Sequence, residues 1–239
     1  LNTKSTIFIN RQKAHVMKYI KSQLKKRKLT AELFNSQWKV KSNFYSSKDT
    51  KVNLSKLNLL GSHQLINAGL GIHLAKNILK EKFEIKKTEK ALMNCIWPGR
   101  LQEIKNGLLC KRIKKFKNIF LDGFHNIDGM KALIKTLPKN KKILICSFLN
   151  NKKYIQMLSN LSKHFNKIIV VKMNEENSIT KDLLPKKLEL YFSNSLNESF
   201  KTINLLSSKK TSVYFGGSLY FIGEVLKMNQ LKTLVSSNK

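Results

Sequence analysis

The residues best suited to chemistry lie in two short runs near the middle of the chain. In IWPGRLQ, Arg100 follows a Trp-Pro-Gly turn, and in IFLDGFHNIDG, Asp122 and His125 follow an apolar stretch. A Pro-Gly turn fixes the backbone ahead of Arg100, so its guanidinium extends from a rigid support that suits a phosphate being transferred. Pro-Gly-Arg is also a common turn, and from these residues alone a structural role is the safer interpretation.

Asp122 ends a predicted strand, and His125 and Asn126 lie between that strand and the next predicted helix. In open α/β sheets, ligands bind beyond the carboxyl ends of the strands. An aspartate, an imidazole and a helix N-terminus in one loop suit a phosphate-bearing ligand with its metal or ribose. The alternative, which the residues alone favour, is that Asp122 caps the helix and His125 packs at the surface.

The WPGR run (Trp97–Arg100) is called the elbow. After it, the elements that must position these residues form a regular pattern. Apolar strands alternate with helices whose apolar residues recur every three or four positions. Continuous apolar strands are typical of a mostly parallel sheet that is covered on both faces. We therefore predict a Rossmann-like α/β domain over residues 103–239. Its predicted strands are Asn118–Asp122, Lys142–Leu149, Lys167–Met173, Leu188–Phe192 and Ser212–Phe215.

Two further predicted helices carry polar residues near their N-termini. One begins at GSHQLINAGLGIHLAKNIL, with Ser62 as its N-cap, Asn67 in its second turn and an apolar face formed by Ile66, Leu70, Leu74 and Ile78. The other opens at Ser218, directly after Gly216 and Gly217, where exposed N–H groups can hold an anion. Because the GxGxxG fingerprint is absent, a tight strand-to-helix turn is the favoured interpretation there.

Composition and charge narrow the class of protein. The first residues lack the order of a secretory signal and no run approaches about 18 apolar residues, so we expect a cytoplasmic protein without a membrane segment. The three cysteines form no CxxC pair, which argues against a zinc site. The net charge is +32, but only four of the 46 Lys and Arg residues are arginine and the lysines are scattered. We therefore expect no specific nucleic-acid partner.

Four runs in this order, GSHQLINAG, WPGRLQ, LDGFHNIDG and GGSLYFIGEV, resemble the folylpolyglutamate synthase/dihydrofolate synthase family of the Mur ligase superfamily. The resemblance spans Ile7 to Met228, and the pairing of WPGR with DGxHN is specific. It implies that Asn67, Arg100 and Asp122 contact ATP. It also implies that His125 lies beside the reacting groups, with Asp122 as the second catalytic candidate.

The resemblance implies an ATP-dependent amide ligase that adds L-glutamate to dihydropteroate, to folate or to both. ATP with Mg²⁺ would phosphorylate the acceptor carboxylate, and the amine of glutamate would then attack the acyl phosphate. Ser218 is a further nucleotide-binding candidate, and no residue of this chain is assigned to the metal. In this family, residues 1–96 would be the distal part of the central ATPase domain, 97–102 the hinge and 103–239 the C-terminal domain of a monomeric parent enzyme.

This sequence departs from the family pattern in two places. The family has a small residue and a proline where this chain has Phe124 and Ile127, and often an Asp-Lys-Asp loop where it has NNKK (Asn150–Lys153). The family's phosphate loop and metal ligands belong to a segment that would precede Leu1. We therefore expect this chain to be the distal part of a longer enzyme.

Two other functions remain as alternatives. The nearer one is another Mur-type ligase, which would add amino acids during cell-wall synthesis. The tryptophan before the proline and the Gly-x-His-Asn ending favour the folate branch over it. The second alternative, from a different class, is a basic nucleic-acid-binding module, whose affinity would come from counterion release by lysines that face phosphates.

The chain by itself should not turn over ATP, because the phosphate loop and the metal ligands are expected upstream of Leu1. The measurement is phosphate release from ATP in the presence of dihydropteroate and L-glutamate, with a complete enzyme of the same family as the positive control. Robust turnover by the 239-residue chain would contradict this expectation.

Overall fold

The structure is a computed structural model that describes residues 6–229. The chain divides into two compact units, and the boundary in the sequence lies between Ile96 and Trp97. Within the described residues, no helix is long and apolar enough to cross a membrane. Arg100, Asp122 and His125 belong to the second unit, whereas Asn67 belongs to the first.

The first unit combines a parallel pair of strands with an antiparallel sheet. Strands β1 and β2 pair in parallel, and β3, β4 and β5 form a three-stranded antiparallel sheet. A small core of Trp38, Tyr45, Val52, Leu54 and Ile72 joins this sheet to α2. The elements are β1 (Ile7–Ile9), α1 (Ala14–Lys26), β2 (Ala31–Leu33), β3 (Trp38–Lys41), β4 (Phe44–Ser47), β5 (Lys51–Asn53), α2 (Ser62–Leu79) and α3 (Ile85–Met93).

Helix α2 differs from its prediction at its start and on its buried face. Ser62 is the first helical residue and Gly61 occupies the N-cap position without a side-chain bond, so the predicted Ser62 cap is wrong. The predicted apolar face is wrong at Ile78, which is 76% exposed, whereas the other three residues are half-buried and Leu70 packs against the core. The residues of α2 that are buried are Gln64, Gly69, Ile72 and His73.

A buried histidine explains why the face of α2 is shifted. His73 stacks on the ring of Trp38 with 5.5 Å between the centroids. Its Nδ1 lies 2.8 Å from the hydroxyl of Tyr45, and its Nε2 is hydrogen-bonded to Glu32. Because polar partners on both sides satisfy the imidazole, it can occupy a core position. A pattern of apolar residues alone does not reveal such a position.

The second unit is built on one six-stranded sheet. The strand order is β10-β9-β8-β11-β7-β6, and every pair is parallel except β6 with β7. This confirms the predicted mostly parallel α/β sheet. The elements are β6 (Gln102–Glu103), α4 (Leu108–Arg112), β7 (Asn118–Asp122), α5 (Ile127–Ile134), β8 (Lys142–Cys146), α6 (Tyr154–Leu161), β9 (Lys167–Val171), β10 (Tyr191–Ser193), α7 (Leu196–Leu206), β11 (Ser212–Gly216) and α8 (Leu219–Met228).

Alternate residues of the central strands enter two separate cores. In β8, Ile143 and Ile145 join the core that also contains residues of α7 and α8, whereas Leu144 joins the core formed with α5 and α6. Successive side chains of a strand point to opposite faces, so a strand covered by helices on both faces is apolar throughout. The continuous apolar runs in the sequence have this cause.

The last strand completes the edge at which the candidate site lies. β11 is inserted between β7 and β8, although it follows both of them in the chain by a long interval. In the resulting register, Gly216 lies opposite both Asp122 and Cys146. The carboxyl ends of three neighbouring parallel strands therefore meet at one place, and the Asp122 loop begins there.

Some elements end earlier than their patterns predict. β8 ends at Cys146 and not at Leu149, which instead forms an isolated bridge with Ser178. α5 ends at Ile134, four residues before the helix-breaking Pro138. Its last turn tightens, because the N–H groups of residues 136 and 137 donate to carbonyls three positions earlier in the chain.

Two glycines of α2 provide a matched test of the first unit's packing. A Cβ at Gly69 would overlap Val40 Cγ2 and lie 3.2 Å from Trp38 Cζ3, whereas nothing lies within 4 Å of a Cβ at Gly71. Overpacking costs about 1–3 kcal/mol, and replacing an exposed helical glycine by alanine gains up to about 1 kcal/mol. We expect urea denaturation to give a lower free energy of unfolding for Gly69→Ala and a higher one for Gly71→Ala. A Gly69→Ala variant as stable as the wild type would contradict this packing.

Candidate nucleotide site

Backbone hydrogen bonds hold the Trp-Pro-Gly-Arg elbow. The Gly99 N–H donates to Gln102 Oε1 at 2.9 Å, and the Gly99 carbonyl accepts the Gly123 N–H at 2.7 Å. Gly99 (φ +70°) and Leu101 (φ +45°) both adopt the left-handed conformation, which is strained for leucine. Trp97 is 62% exposed, so burial of its ring does not anchor the elbow.

Asp122 ties the elbow to the end of β7. Its Oδ2 accepts the Leu101 N–H at 3.0 Å, and its Oδ1 accepts the Phe124 N–H at 2.9 Å. It does not cap α5, because Asn126 occupies that position and its Oδ1 accepts an N–H of the first turn at 2.8 Å. Asp122 therefore holds Leu101 in its strained conformation and fixes the backbone next to Arg100.

Arg100 and Asp122 interact electrostatically at this edge of the sheet. Burial raises the pKa of the Asp122 carboxyl, while the N–H groups of Phe124 and Leu101 and the charge of Arg100 act to lower that pKa. The net direction is upward because desolvation is the largest cause. Both side chains are half-buried. The structure thus brings together the two residues that the sequence placed in separate motifs.

The hydrogen bonds of His125 determine which ring nitrogen carries the proton. Its Nδ1 lies 3.0 Å from the carbonyl oxygen of Gly123, which can only accept, so Nδ1 is protonated in the neutral ring. Nε2 is then an acceptor, and Nδ2 of Asn126 lies 3.5 Å from it. The half-buried imidazole therefore has a defined basic atom, Nε2, three residues beyond the end of β7.

Phe124 fills the space that Gly216 leaves beside Asp122. A Cβ on Gly216 would overlap Cε1 of Phe124 and lie 3.0 Å from the carbonyl oxygen of Asp122. The ring of Phe124 is 1% exposed, and its centroid lies 6.2 Å from that of Phe148. The large residue that departs from the family pattern is therefore part of the core and does not project into the loop.

Ser218 caps α8 at the adjacent strand end. Its Oγ accepts the Tyr220 N–H at 3.2 Å, and the residue is only 4% exposed. Gly217 has φ +94°, and a Cβ there would overlap the carbonyl oxygen of Ser147. The segment is thus the tight strand-to-helix turn that the residues favoured, and the hydroxyl of Ser218 is committed to that turn.

Asn67 belongs to a separate cluster of amide side chains in the first unit. Asn67 lies on α2 and is exposed. Its Oδ1 accepts from Nδ2 of Asn10 at 3.4 Å, and its Nδ2 donates to Oε1 of Gln64 at 3.3 Å. The sequence analysis did not single out Asn10, Gln64 or Gln102, because isolated amides carry no characteristic spacing.

The loop after β8 presents cations where the family pattern has carboxylates. The Asn150 N–H donates to the Asn177 carbonyl at 2.8 Å, which holds the loop to the chain beyond β9. Lys152 and Lys153 are exposed, and Lys153 occupies the N-cap position of α6 without a side-chain bond. In residues 6–229, no group of three or more His, Cys, Asp or Glu is placed to hold a metal ion.

Comparison with known proteins agrees with the motifs. No family model matches the chain. The dihydrofolate synthase/folylpolyglutamate synthase of Bacillus subtilis (strain 168) is 29% identical over 183 residues, which are 72% of this chain and 40% of that protein. The resemblance to the folylpolyglutamate synthase/dihydrofolate synthase family is confirmed. The chain spans less than half the length of this relative.

Solved folylpolyglutamate synthases share the fold. The Mycobacterium tuberculosis enzyme complexed with ADP has a TM-score of 0.80 and 17% identity, over 94% of this chain and 55% of that one. The bifunctional folylpolyglutamate synthase/dihydrofolate synthase of Yersinia pestis, complexed with AMPPNP and a Mn ion, has a TM-score of 0.72 and 13% identity, over 88% and 50%. At these identities the likeness concerns the fold alone, and it agrees with the predicted α/β architecture with a mostly parallel sheet.

Asp122→Asn should flatten part of the pH dependence of stability. Because the pKa of Asp122 is raised from 3.8 by folding, the folded state binds this proton more tightly than the unfolded chain does. That contribution is fully present below pH 3.8 and is lost as the pH rises through the raised pKa. In urea denaturation, the free energy of unfolding of the wild type should fall over this range relative to that of Asp122→Asn.

Asp182→Asn is the matched control, since the pKa of the exposed Asp182 is lowered by bonds to its carboxylate. The difference in free energy of unfolding between the wild type and Asp182→Asn should rise with pH, because the contribution of Asp182 is lost as the pH falls. The corresponding difference for Asp122→Asn should fall with pH. Equal slopes for the wild type and Asp122→Asn would contradict the role of burial at Asp122.

Proposed function

We propose that this chain is part of an ATP-dependent amide ligase that adds L-glutamate to dihydropteroate, to folate or to both through an acyl phosphate. One observation carries the proposal: the clamped elbow places Arg100 beside Asp122 at the carboxyl edge of a mostly parallel sheet. Such edges bind ligands in open α/β folds. The complexes with ADP and AMPPNP named for the structural neighbours support a nucleotide as that ligand.

In this proposal, Arg100 binds the phosphates of ATP. A guanidinium keeps its charge at all relevant pH values and can donate two parallel hydrogen bonds to phosphate oxygens. Because the elbow fixes the backbone beside it, less conformational entropy is lost when the side chain binds. As the phosphoryl group moves to the acceptor carboxylate, the positive charge stabilises the negative charge that develops.

Asp122 has two tasks in the proposed site. It positions Arg100 through the Leu101 N–H, and it contacts the nucleotide directly. Each of its oxygens accepts one backbone N–H, which leaves each with capacity for a further donor. A ribose hydroxyl of ATP is such a donor. Ser218 is the weakest of the nucleotide candidates, since its hydroxyl caps α8.

His125 is the proposed proton acceptor. When the amine of glutamate attacks the acyl phosphate, the nitrogen becomes positively charged and must lose a proton. The Gly123 carbonyl holds the proton of His125 on Nδ1, so Nε2 is the atom that can accept the proton from the amine. Nδ2 of Asn126 lies 3.5 Å from Nε2 of His125, which is long for a hydrogen bond. A substrate can therefore replace this contact easily.

No metal step is assigned to this chain. The Yersinia pestis neighbour is complexed with a Mn ion, but residues 6–229 contain no metal-ligand cluster of His, Cys, Asp and Glu. In this proposal, the ligands of Mg²⁺ belong to a part of the enzyme other than residues 6–229. A monomeric state and a cytoplasmic location stay predictions.

No observation favours the two alternative functions. For a nucleic-acid module, the arginines would have to be free to contact phosphates or bases. Arg112, one of the four, donates to Asn197 at 2.6 Å and lies over the ring of Phe200 at 5.3 Å, so it serves the fold. The relative and the structural neighbours named above are folylpolyglutamate or dihydrofolate synthases, which leaves a cell-wall ligase without support.

Arg100→Ala should weaken the binding of ADP to the chain by about tenfold or more, because a hydrogen bond to a charged group contributes about 1.5–3 kcal/mol. Arg100→Lys should fall between this variant and the wild type, since lysine keeps the charge but loses the planar fork. The dissociation constant is measured by calorimetric or NMR titration with ADP.

Arg27→Ala, which removes an exposed guanidinium at the end of α1, is the control and should bind ADP as the wild type does. Unfolding curves of all the variants establish that they are folded. A wild-type chain that does not bind ADP, or an Arg100→Ala variant that binds it equally well, would overturn the proposed site.

A further inference from the structure

We infer that Gln102 is a positioning residue for Arg100, because its side chain holds the backbone in front of the arginine and thereby raises the affinity of the site for phosphate. The inference rests on the proposed function, in which Arg100 binds the phosphates of ATP. In these terms Gln102 acts on the ligand only through Arg100 and does not touch the nucleotide. The hydrogen bond from the Gly99 N–H to Gln102 Oε1 is the observation behind it.

The position of Arg100 depends on its two neighbours in the chain. Within residues 6–229, its guanidinium forms no hydrogen bond with the protein, although its charge acts on Asp122. The residues on either side both adopt the left-handed conformation, with φ +70° at Gly99 and φ +45° at Leu101. The direction in which the arginine extends is therefore fixed by the bonds that hold Gly99 and Leu101.

Strands β6 and β7 form the frame to which these neighbours are bound. Gln102 is the first residue of β6, which pairs with β7 immediately before Asp122. From this frame, Oδ2 of Asp122 accepts the Leu101 N–H at 3.0 Å, and Oε1 of Gln102 accepts the Gly99 N–H at 2.9 Å. One side chain thus holds the residue after Arg100, and the other holds the residue before it.

Gly99 needs its bond more than a residue with a side chain would. Glycine reaches φ +70° without strain, but it also reaches many other conformations, so ordering it costs more conformational freedom than ordering any other residue. The Gly123 N–H holds the carbonyl of Gly99 at 2.7 Å, which leaves the peptide group on its N-terminal side to Gln102. Without the acceptor on Gln102, that peptide group can turn and Gly99 can leave φ +70°.

The bond requires both the length and the oxygen of the glutamine side chain. A backbone N–H can only donate, so the oxygen of the amide and not its nitrogen faces Gly99. Asparagine carries the same amide on a side chain that is shorter by one CH₂ group. Methionine has a similar length but offers only a weak sulfur acceptor. Either replacement therefore removes the bond.

Gln102→Met and Gln102→Asn test this inference. The Gly123 and Asp122 bonds remain in both variants, so the chain should stay folded, which unfolding curves check. Hydrogen exchange measured by NMR should be faster at the Gly99 amide than in the wild type. The dissociation constant for ADP, measured by NMR titration, should rise by about fivefold or more, because binding must then supply the ordering of a backbone residue.

Combination with Arg100→Ala separates positioning from damage to the fold. If Gln102 acts only through Arg100, Gln102→Met should not weaken ADP binding further once Arg100 is alanine, so the two effects are not additive. General destabilisation would instead weaken binding with either residue at position 100. Gln156→Met, the same replacement at an exposed glutamine of α6, is the matched control and should bind ADP as the wild type does.

The outcomes distinguish this inference from the proposed function. If the wild type does not bind ADP, or if Arg100→Ala binds it equally well, the proposed function fails and the inference fails with it. If Arg100→Ala weakens binding but both variants of Gln102 bind ADP as the wild type does, the positioning role of Gln102 is wrong while the nucleotide site stands. An effect of Gln102→Met that persists in full with Arg100→Ala would also overturn that role.

Discussion

The hydrogen bond from the Leu101 N–H to the Asp122 carboxylate determines the position of Arg100. Leu101 has φ +45°, a conformation that costs a residue with a side chain about 1–3 kcal/mol. A hydrogen bond to a charged acceptor returns about 1.5–3 kcal/mol, so the two contributions are similar in size. Burial raises the pKa of Asp122, while this bond and the Phe124 N–H act to lower it. The strain at Leu101 and the bond that offsets it together fix the backbone beside the arginine.

The remainder of the second unit supports this bond through contacts that are distant in the chain. Gly123, which also binds the elbow, faces the side chain of Leu219 in α8, and Gly99 faces Ile222 in the same helix. Residues near position 100 thus depend on a strand and a helix that follow more than a hundred residues later. Since such pairings require closure of a long loop, forming the site carries the entropy cost of that closure.

Much of the second unit could be predicted from the sequence, whereas the first unit could not. The strand Asn118–Asp122 is found as predicted because both faces of the sheet are covered, which leaves an uninterrupted apolar run. The helix α2 misled the prediction because its buried face contains Gln64, Gly69 and His73, whose burial depends on partners elsewhere in the chain. Hydrogen bonds made by single amides, such as that of Gln102, have no sequence pattern at all. Sequence motifs contain the site residues, but the hydrogen bonds that hold these residues are visible only in the structure.

The contact between Phe124 and Gly216 has a consequence for how this chain can vary. The ring occupies volume that exists only because the neighbouring strand ends in a residue without a side chain. A larger residue at one position is compatible only with a smaller one at the other, so the two sites are constrained to change together. A smaller residue at position 124, as in the family pattern, would remove the overlap with the ring but leave the Asp122 carbonyl oxygen 3.0 Å from such a methyl group. In this chain, substitution at Gly216 is therefore limited both by an aromatic ring across the loop and by a backbone oxygen of the neighbouring strand.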